Sequence, residues 1–204
     1  IEALRLVAGW CAERGDPAAA RYGELADRAA ASFRARFVRP GVGHLADVVD
    51  GPGGDDWTLR PNQVIALAVD EPLVDPDVAR SVLEAVGREL ETPVGLRSLA
   101  PSEAGYAGRF NGPPDRRDGA YHQGTVWAWL LGPYVDAVLR FGGPDARVRA
   151  HAILEGMRRH LADGGLGSVG EVFDGDPPHD PFGCPWQAWS VGEVLRAWRA
   201  VTGE

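Results

Sequence analysis

The sequence of 204 residues has little cysteine, no basic stripe and no long apolar run. Two cysteines, Cys11 and Cys184, are too few for a disulfide framework in a chain of this size and read as free thiols in a reducing compartment. No Cys-x-x-Cys pair and no Cys/His cluster at ligand spacing is present, so neither a metal nor another cofactor is expected. The net charge of −8 excludes a nucleic-acid partner, since phosphate binding needs clustered cations. It suits a neutral or cationic ligand. No apolar stretch reaches the length that crosses a membrane, so no membrane partner is expected. A charged leader with a cleavage site is also missing, and Ile1 to Trp10 already reads as the middle of a helix. The expectation is a piece cut from a longer protein.

What is present is an ordinary globular composition, 45% hydrophobic and 25% charged, which fits one domain over 1–204. Strand signals are almost absent and helix periods recur. Ile1 to Arg14 carries Leu4, Val7, Ala8 and Cys11 on one face. Pro17 opens a second helix with Tyr22, Leu25, Ala26, Ala29, Phe33 and Phe37, stopped by Pro40-Gly41. Residues 41–60 form a Gly/Asp-rich loop of functional length, in which His44-Leu45 and Val48-Val49 are able to make a short strand. Arg60-Pro61-Asn62-Gln63 opens a third, buried helix with proline at its first position. Asp75-Pro76 opens a fourth, with Val78, Val82, Leu83, Val86 and Leu90 inward. Thr92 to Asp118 reads as a second long loop. Thr125 to Phe141 reads as one helix, kinked at Gly132-Pro133. Pro144 to Leu161 follows, with Val148, Ala152, Ile153, Met157 and Leu161 inward. A third loop, Gly164 to Trp186, precedes the last helix, Ala188 to Val201, with Val191, Val194, Leu195 and Trp198 inward. Buried and amphipathic helices alternate, and the long loops would gather on one face. That is an all-α arrangement, an α/α toroid with about seven helices. A plain helical bundle is the other arrangement these helices allow.

The chain is organised around Arg116 to Pro133. There Asp118, Tyr121, His122 and Gln123 stand in front of a helix that is apolar on every side, with Val126, Trp127, Trp129, Leu130 and Leu131. Polar groups and aromatic faces at the mouth of a buried helix suit a neutral, hydroxyl-rich ligand. Glu171 follows the Gly-rich run Gly164 to Gly170. It reads either as a general base on water or as a solvated loop charge. Asp174, Asp176 and Asp180 lack the spacing and the closing Glu of a calcium loop. His122 has no ligand partner at metal spacing, and a hydrogen-bonding histidine is its more ordinary role. Trp127, Trp129, Trp186 and Trp189, among seven tryptophans, read either as core or as platforms for sugar rings.

Five blocks, in chain order, carry a family resemblance. They are Arg60-Pro61-Asn62-Gln63, Thr92-Pro93-Val94-Gly95-Leu96-Arg97-Ser98-Leu99, Arg117-Asp118-Gly119-Ala120-Tyr121-His122-Gln123-Gly124-Thr125-Val126-Trp127, Glu171-Val172-Phe173-Asp174-Gly175 and Cys184-Pro185-Trp186-Gln187-Ala188-Trp189-Ser190. Together they resemble the C-terminal, amylo-α-1,6-glucosidase domain of glycogen debranching enzymes. The resemblance implies an (α/α)6 barrel and hydrolysis of α-1,6-linked glucose at glycogen or limit-dextrin branch points, with inversion. It also implies a cytoplasmic place of work in glycogen catabolism. Inversion needs two carboxyl groups about 6.5–9.5 Å apart. Glu171 matches the family's base. Arg60, Asn62, Gln63, Asp118, Tyr121, His122, Gln123, Trp127, Trp186 and Gln187 match or adjoin sugar-binding positions. In the family the acid is an Asp upstream of the matched part, and a Trp-Tyr-Asn run precedes the first helix. This chain supplies neither. It is therefore expected to form about half of a barrel, with an open apolar face that promotes self-association. Two other readings remain: a catalytically silent α-glucan-binding scaffold, and another (α/α)6 glycosidase such as a trehalase-like or glucosidase-like enzyme.

Overall fold

The computed structural model describes residues 1–203. Among them are eight α-helices, one 3-10 turn and seven short strands. The chain opens with α1 (Glu2–Glu13) and α2 (Ala18–Phe37), which pack along one another. A hairpin follows, β1 (Val48–Gly51) with β2 (Gly54–Asp56). Next come α3 (Gln63–Ala68) and α4 (Pro76–Glu89), then β3 (Glu91–Thr92) and β4 (Gly95–Arg97). The central segment holds α5 (Pro114–Ala120), β5 (Val126–Trp127), the 3-10 turn (Ala128–Leu130) and α6 (Leu131–Phe141). The chain closes with α7 (Ala146–Asp163), β6 (Val172–Phe173), β7 (Pro181–Phe182) and α8 (Ala188–Thr202).

Helix α6 is the hub. It packs against α3, α4, α7 and α8. Leu131, Tyr134, Val135, Val138 and Phe141 lie in the core. Each such side chain contributes about 1.5–3 kcal/mol by leaving water. The Tyr134 hydroxyl does not break this core, because it donates to Glu91 Oε2 (2.6 Å) and accepts from Arg149 Nη2 (2.8 Å). Burial and the Glu91 charge push the Tyr134 phenol far above its ordinary range.

Strands β3 to β7 form one antiparallel sheet in chain order. Val126 pairs with Arg97 on one side and Phe173 on the other; Trp127 pairs with Leu96 and Val172. This small sheet brings the central segment and the Glu171 loop together.

The structure departs from the expected elements at several points. The sheet itself was not anticipated, because strands of two or three residues carry no readable period. Thr125 to Phe141 is not one helix. Val126 and Trp127 are drawn into the sheet, and α6 starts at Leu131. Pro133 then lies in the first turn of α6, where its missing N–H leaves no gap in the ladder, so the expected kink has no cause. Asp118 lies on α5 rather than in a loop. Pro61 precedes α3, whose N-cap is Asn62. Ile65, expected inside, is partly exposed. On α7, Val148 and Ala152 face solvent, while Ala150 and Leu154 join Ile153 and Met157 inside. On α8 the buried residues are Ser190, Ala197 and Val201, and Val191 and Leu195 are exposed.

Candidate active site

A cleft of about 620 Å3 opens between the β1–β2 hairpin, the start of α3, the central segment and the first turn of α8. That volume lies within the range of about 300–1,000 Å3 usual for small-molecule sites. Trp127, Trp129, Leu130 and Trp189 form its apolar wall, and Asp47, Asp56, Arg60, Asn62, Ser98, His122 and Gln123 supply polar groups. The His122 imidazole stacks flat on the Trp127 indole, 5.4 Å between centroids and 3° between planes. Trp189 meets Trp127 edge-on at 6.2 Å. The wall is therefore a braced aromatic surface with a polar rim.

Arg60 fixes the rim. Its guanidinium donates to Ser98 O (3.1 Å), His122 O (2.7 Å) and Gln123 Oε1 (3.0 Å), and its Nε lies 3.6 Å from Asp47 Oδ2. Only the planar fork of arginine reaches that many acceptors at once. Asn62 Nδ2 donates to Asp47 Oδ1 at 2.8 Å. Asp56 accepts from the Thr58 backbone N–H at 2.9 Å. That bond, together with the Arg60 charge, holds the Asp56 carboxyl below the usual carboxylate range. Gly124 has φ +135°, and any side chain there would strike Ala107 O and the Tyr106 ring; the central turn can cross this segment only as glycine.

Glu171 sits directly before β6. Its backbone N–H donates to Cys184 O (2.9 Å), and the Cys184 N–H donates back to Glu171 Oε2 (2.8 Å). The Tyr121 hydroxyl donates to Glu171 Oε1 at 2.6 Å. Gly183, at φ +73°, presses against the carboxylate, and a side chain there would displace it. Each oxygen thus accepts one hydrogen bond and keeps a lone pair for water. Tyr121 is the link to the cleft: its ring packs on His122 (4.9 Å) and Trp127 (4.7 Å), and its carbonyl accepts from Trp127 Nε1 (3.1 Å). Burial first, and then the bond and charge of Glu171, push the Tyr121 phenol up to about 12. It therefore stays a donor at neutral pH.

A buried latch supports this wall. Asp174 accepts from Phe110 N (2.6 Å) and from Arg109 Nη1 (3.0 Å), and Phe110 packs on Tyr121 at 5.6 Å. The glycine run before Glu171 has a visible use, since Gly164 and Gly165 lie against the His160 ring, which meets Phe173 edge-on at 4.8 Å. Burial lowers the His160 pKa.

The structure brings Arg60, Asn62, His122, Gln123 and Trp127 to one cleft, and Tyr121, packed on His122 and Trp127, ties Glu171 to it. It separates the other expected residues. Gln63 is turned inward, donating to Arg60 O and accepting from Leu45 N. Asp118 is exposed on α5. Trp186 is 67% exposed and outside the cleft lining, and Gln187 stands at the N-cap position of α8 without a side-chain capping bond. Asp47, Asp56 and Ser98 line the cleft without having been singled out as site residues, and Trp129 and Trp189, read as either core or platforms for sugar rings, stand in its wall. The length of the 41–60 loop marked the region of the two acids, but nothing in it distinguishes Asp47 and Asp56 from Asp50 and Asp55.

Comparison with known proteins bears on the family and the fold. Residues 1–196 match the family model described as amylo-alpha-1,6-glucosidase. The glycogen debranching enzyme of Saccharomyces cerevisiae is 37% identical over 93 residues, which are 43% of this chain and 6% of the yeast protein. Among solved structures, the neutral trehalase Nth1 from Saccharomyces cerevisiae superposes with a TM-score of 0.60 at 18% identity, covering 91% of this chain and 33% of the trehalase chain. That likeness shows the fold, the helical one of an (α/α) glycosidase. Both relatives are much longer than the part this chain covers. With residues 1–196 matched, the chain belongs to the amylo-alpha-1,6-glucosidase family of glycoside hydrolases.

Proposed function

We propose that the chain carries the general base and part of the sugar site of an inverting glucosidase that removes α-1,6-linked glucose from the branch points of a trimmed α-glucan, working in the cytoplasm. The observation that carries the reading is the grip on Glu171, held by the Cys184 N–H and by the hydroxyl of Tyr121, whose ring packs on the cleft residues His122 and Trp127. In the reaction, Glu171 takes a proton from water as the water oxygen attacks the anomeric carbon. The glycosidic bond breaks from the opposite face, and the leaving oxygen takes a proton from a second, protonated carboxyl. Trp127, Trp129 and Trp189 offer faces to the C–H side of a glucose ring, and His122, Gln123, Asn62 and Asp47 offer partners to its hydroxyls.

The protonated carboxyl is not among the acids of the cleft. Asp56 is shifted in the wrong direction for an acid, and Asp47 is engaged by Asn62 and faces Arg60. In this reading the helices form about half of an (α/α)6 barrel. The chain as it stands is then expected to release no glucose from an oligosaccharide bearing a single α-1,6-linked glucose. Release that vanishes in Glu171→Gln would put an acid within this chain and overturn the half-site. The same orientation of Asp47 and Asp56 favours a second reading, a catalytically silent α-glucan-binding scaffold. An active longer enzyme containing this segment whose turnover survives Glu171→Gln would favour it over the first.

A further inference from the structure

A buried acid stands at the opposite end of β6 from Glu171. Asp174 is 2% exposed, and burying a carboxylate is costly unless donors pair with it. Its backbone is fixed from one side: the N–H donates to Asp180 O (3.0 Å), and the carbonyl accepts from His179 Nδ1 (2.9 Å). Its side chain joins the segment 98–113, between β4 and α5. There Oδ1 accepts from Phe110 N (2.6 Å) and Oδ2 from Arg109 Nη1 (3.0 Å). Phe110, so tied, sets its ring against Tyr121 (5.6 Å) and against Phe182 of β7 (5.9 Å). The contacts close a ring that runs from Glu171 through β6 to Asp174, then to Phe110 and Tyr121, and back to Glu171 through the tyrosine hydroxyl. We propose that Asp174 is a positioning residue for the base, which through Phe110 fixes the ring of Tyr121 and so the line along which its hydroxyl meets Glu171. The proposal rests on the reading of Glu171 as the base.

The origin of each contact shows why this one matters. His122 and Trp127 also touch the Tyr121 ring, but both lie on its own segment and move with it. Phe110 comes from another loop, and Asp174 ties that loop to the two-residue strand that Glu171 precedes. Tyrosine and carboxylate are thereby held to one frame. Arg109 extends the frame by donating to Pro177 O (2.7 Å), beyond Asp174 on the same loop. The bond from Tyr121 to Glu171, at 2.6 Å, depends steeply on angle. A misplacement of about 1 Å at a reacting group costs about a hundredfold in rate.

The test uses the 204-residue chain and α-glucosyl fluoride, whose leaving group needs no proton. Asp174→Ala should lower kcat for fluoride release about tenfold, with KM within about twofold. Asp174→Asn, whose remaining oxygen still accepts from the Phe110 N–H, should recover most of the loss. If Asp174→Ala melts early, Phe110→Ala, which leaves the carboxylate both of its donors, carries the same expectation. In a Tyr121→Phe background the same substitutions should cost no more than about twofold, because the hydroxyl they place is gone. Equal losses in both backgrounds would make Asp174 a support of the fold alone and overturn the proposal, as would an unchanged kcat in both Asp174→Ala and Phe110→Ala. A readout apart from activity is the Tyr121 phenol, isolated as the ultraviolet difference between chains with and without Tyr121→Phe, with circular dichroism confirming the folded state. Its midpoint of about 12 should fall toward about 10 in Phe110→Ala, as water reaches the hydroxyl. A midpoint that stays near 12 overturns the proposal whatever the kinetics. No fluoride release by the wild type would sink the base reading separately, and the midpoint would still decide whether Asp174 places Tyr121.

Discussion

At the residue scale, Tyr121 does more than any side chain except Glu171. It packs on His122, Trp127 and Phe110, and its hydroxyl orients the carboxylate. Tyr121→Phe keeps every ring contact and removes only the donor. In an active enzyme containing this segment, it should lower turnover by about ten- to a hundredfold with KM little changed, because loss of one oriented contact acts on the reacting water. The same substitution has a pH signature. The folded-state phenol is raised to about 12, from about 10 in an unfolded chain, so the protein holds this proton more tightly when folded. Its contribution to stability is complete below pH about 10 and is lost as the pH climbs through about 12. Chemical denaturation between those limits should show a shallower alkaline decline for Tyr121→Phe than for the wild type, and an identical decline would remove the linkage.

At the element scale, the long helices were legible in the sequence and the sheet was not. The apolar spacing of α2 and α4 is strong enough to read, and Asp75 stands at the N-cap position of α4 with Pro76 behind it, though its side chain makes no capping bond. Strands β5 and β6 are two residues each, so tertiary contact alone decides them. The α8 stripe misled for a physical reason: Val191 and Leu195 are apolar at helical spacing yet point away from this core. The site was half legible. Residues in the specific blocks around Tyr121 and Glu171 stand together, whereas Gln63 faces the core and the cleft acids came from an unpatterned loop. Arginine forks join the loops that local sequence left loose: Arg97 reaches Glu89 O and Gly175 O, and Arg109 reaches Asp174 and Pro177 O. Two helix glycines separate flexible contacts from rigid ones. At Gly156 a methyl would enter the Pro93 backbone, and at Gly132 it would meet the movable tip of Glu193. Gly156→Ala should therefore cost about 1–3 kcal/mol of stability. Gly132→Ala should cost less, with the helix propensity of alanine offsetting part of the strain. Urea unfolding of the two variants checks the order, and equal losses would count against the packing described.

At the scale of the whole molecule, apolar side chains remain uncovered, several of them on the first and last helices. Leu6 and Trp10 are exposed on α1, and Trp189, Val191 and Leu195 on α8. The α8 side adjoins an apolar groove against α7. If the helices form half of a barrel, this surface seeks a partner, and the chain should self-associate in sedimentation experiments at high concentration. Leu195→Glu should shift that equilibrium toward monomer, and a clean wild-type monomer would contradict the expectation.

The central claim is that Glu171 activates water, and α-glucosyl fluoride tests it most directly. Fluoride leaves without needing a proton, so hydrolysis requires the base and the sugar site but no acid. The account predicts fluoride release by the 204-residue chain, with β-glucose as the anomer first formed, and loss of that release in Glu171→Gln. Release that persists in Glu171→Gln, or a complete absence of release by the wild type, would contradict it.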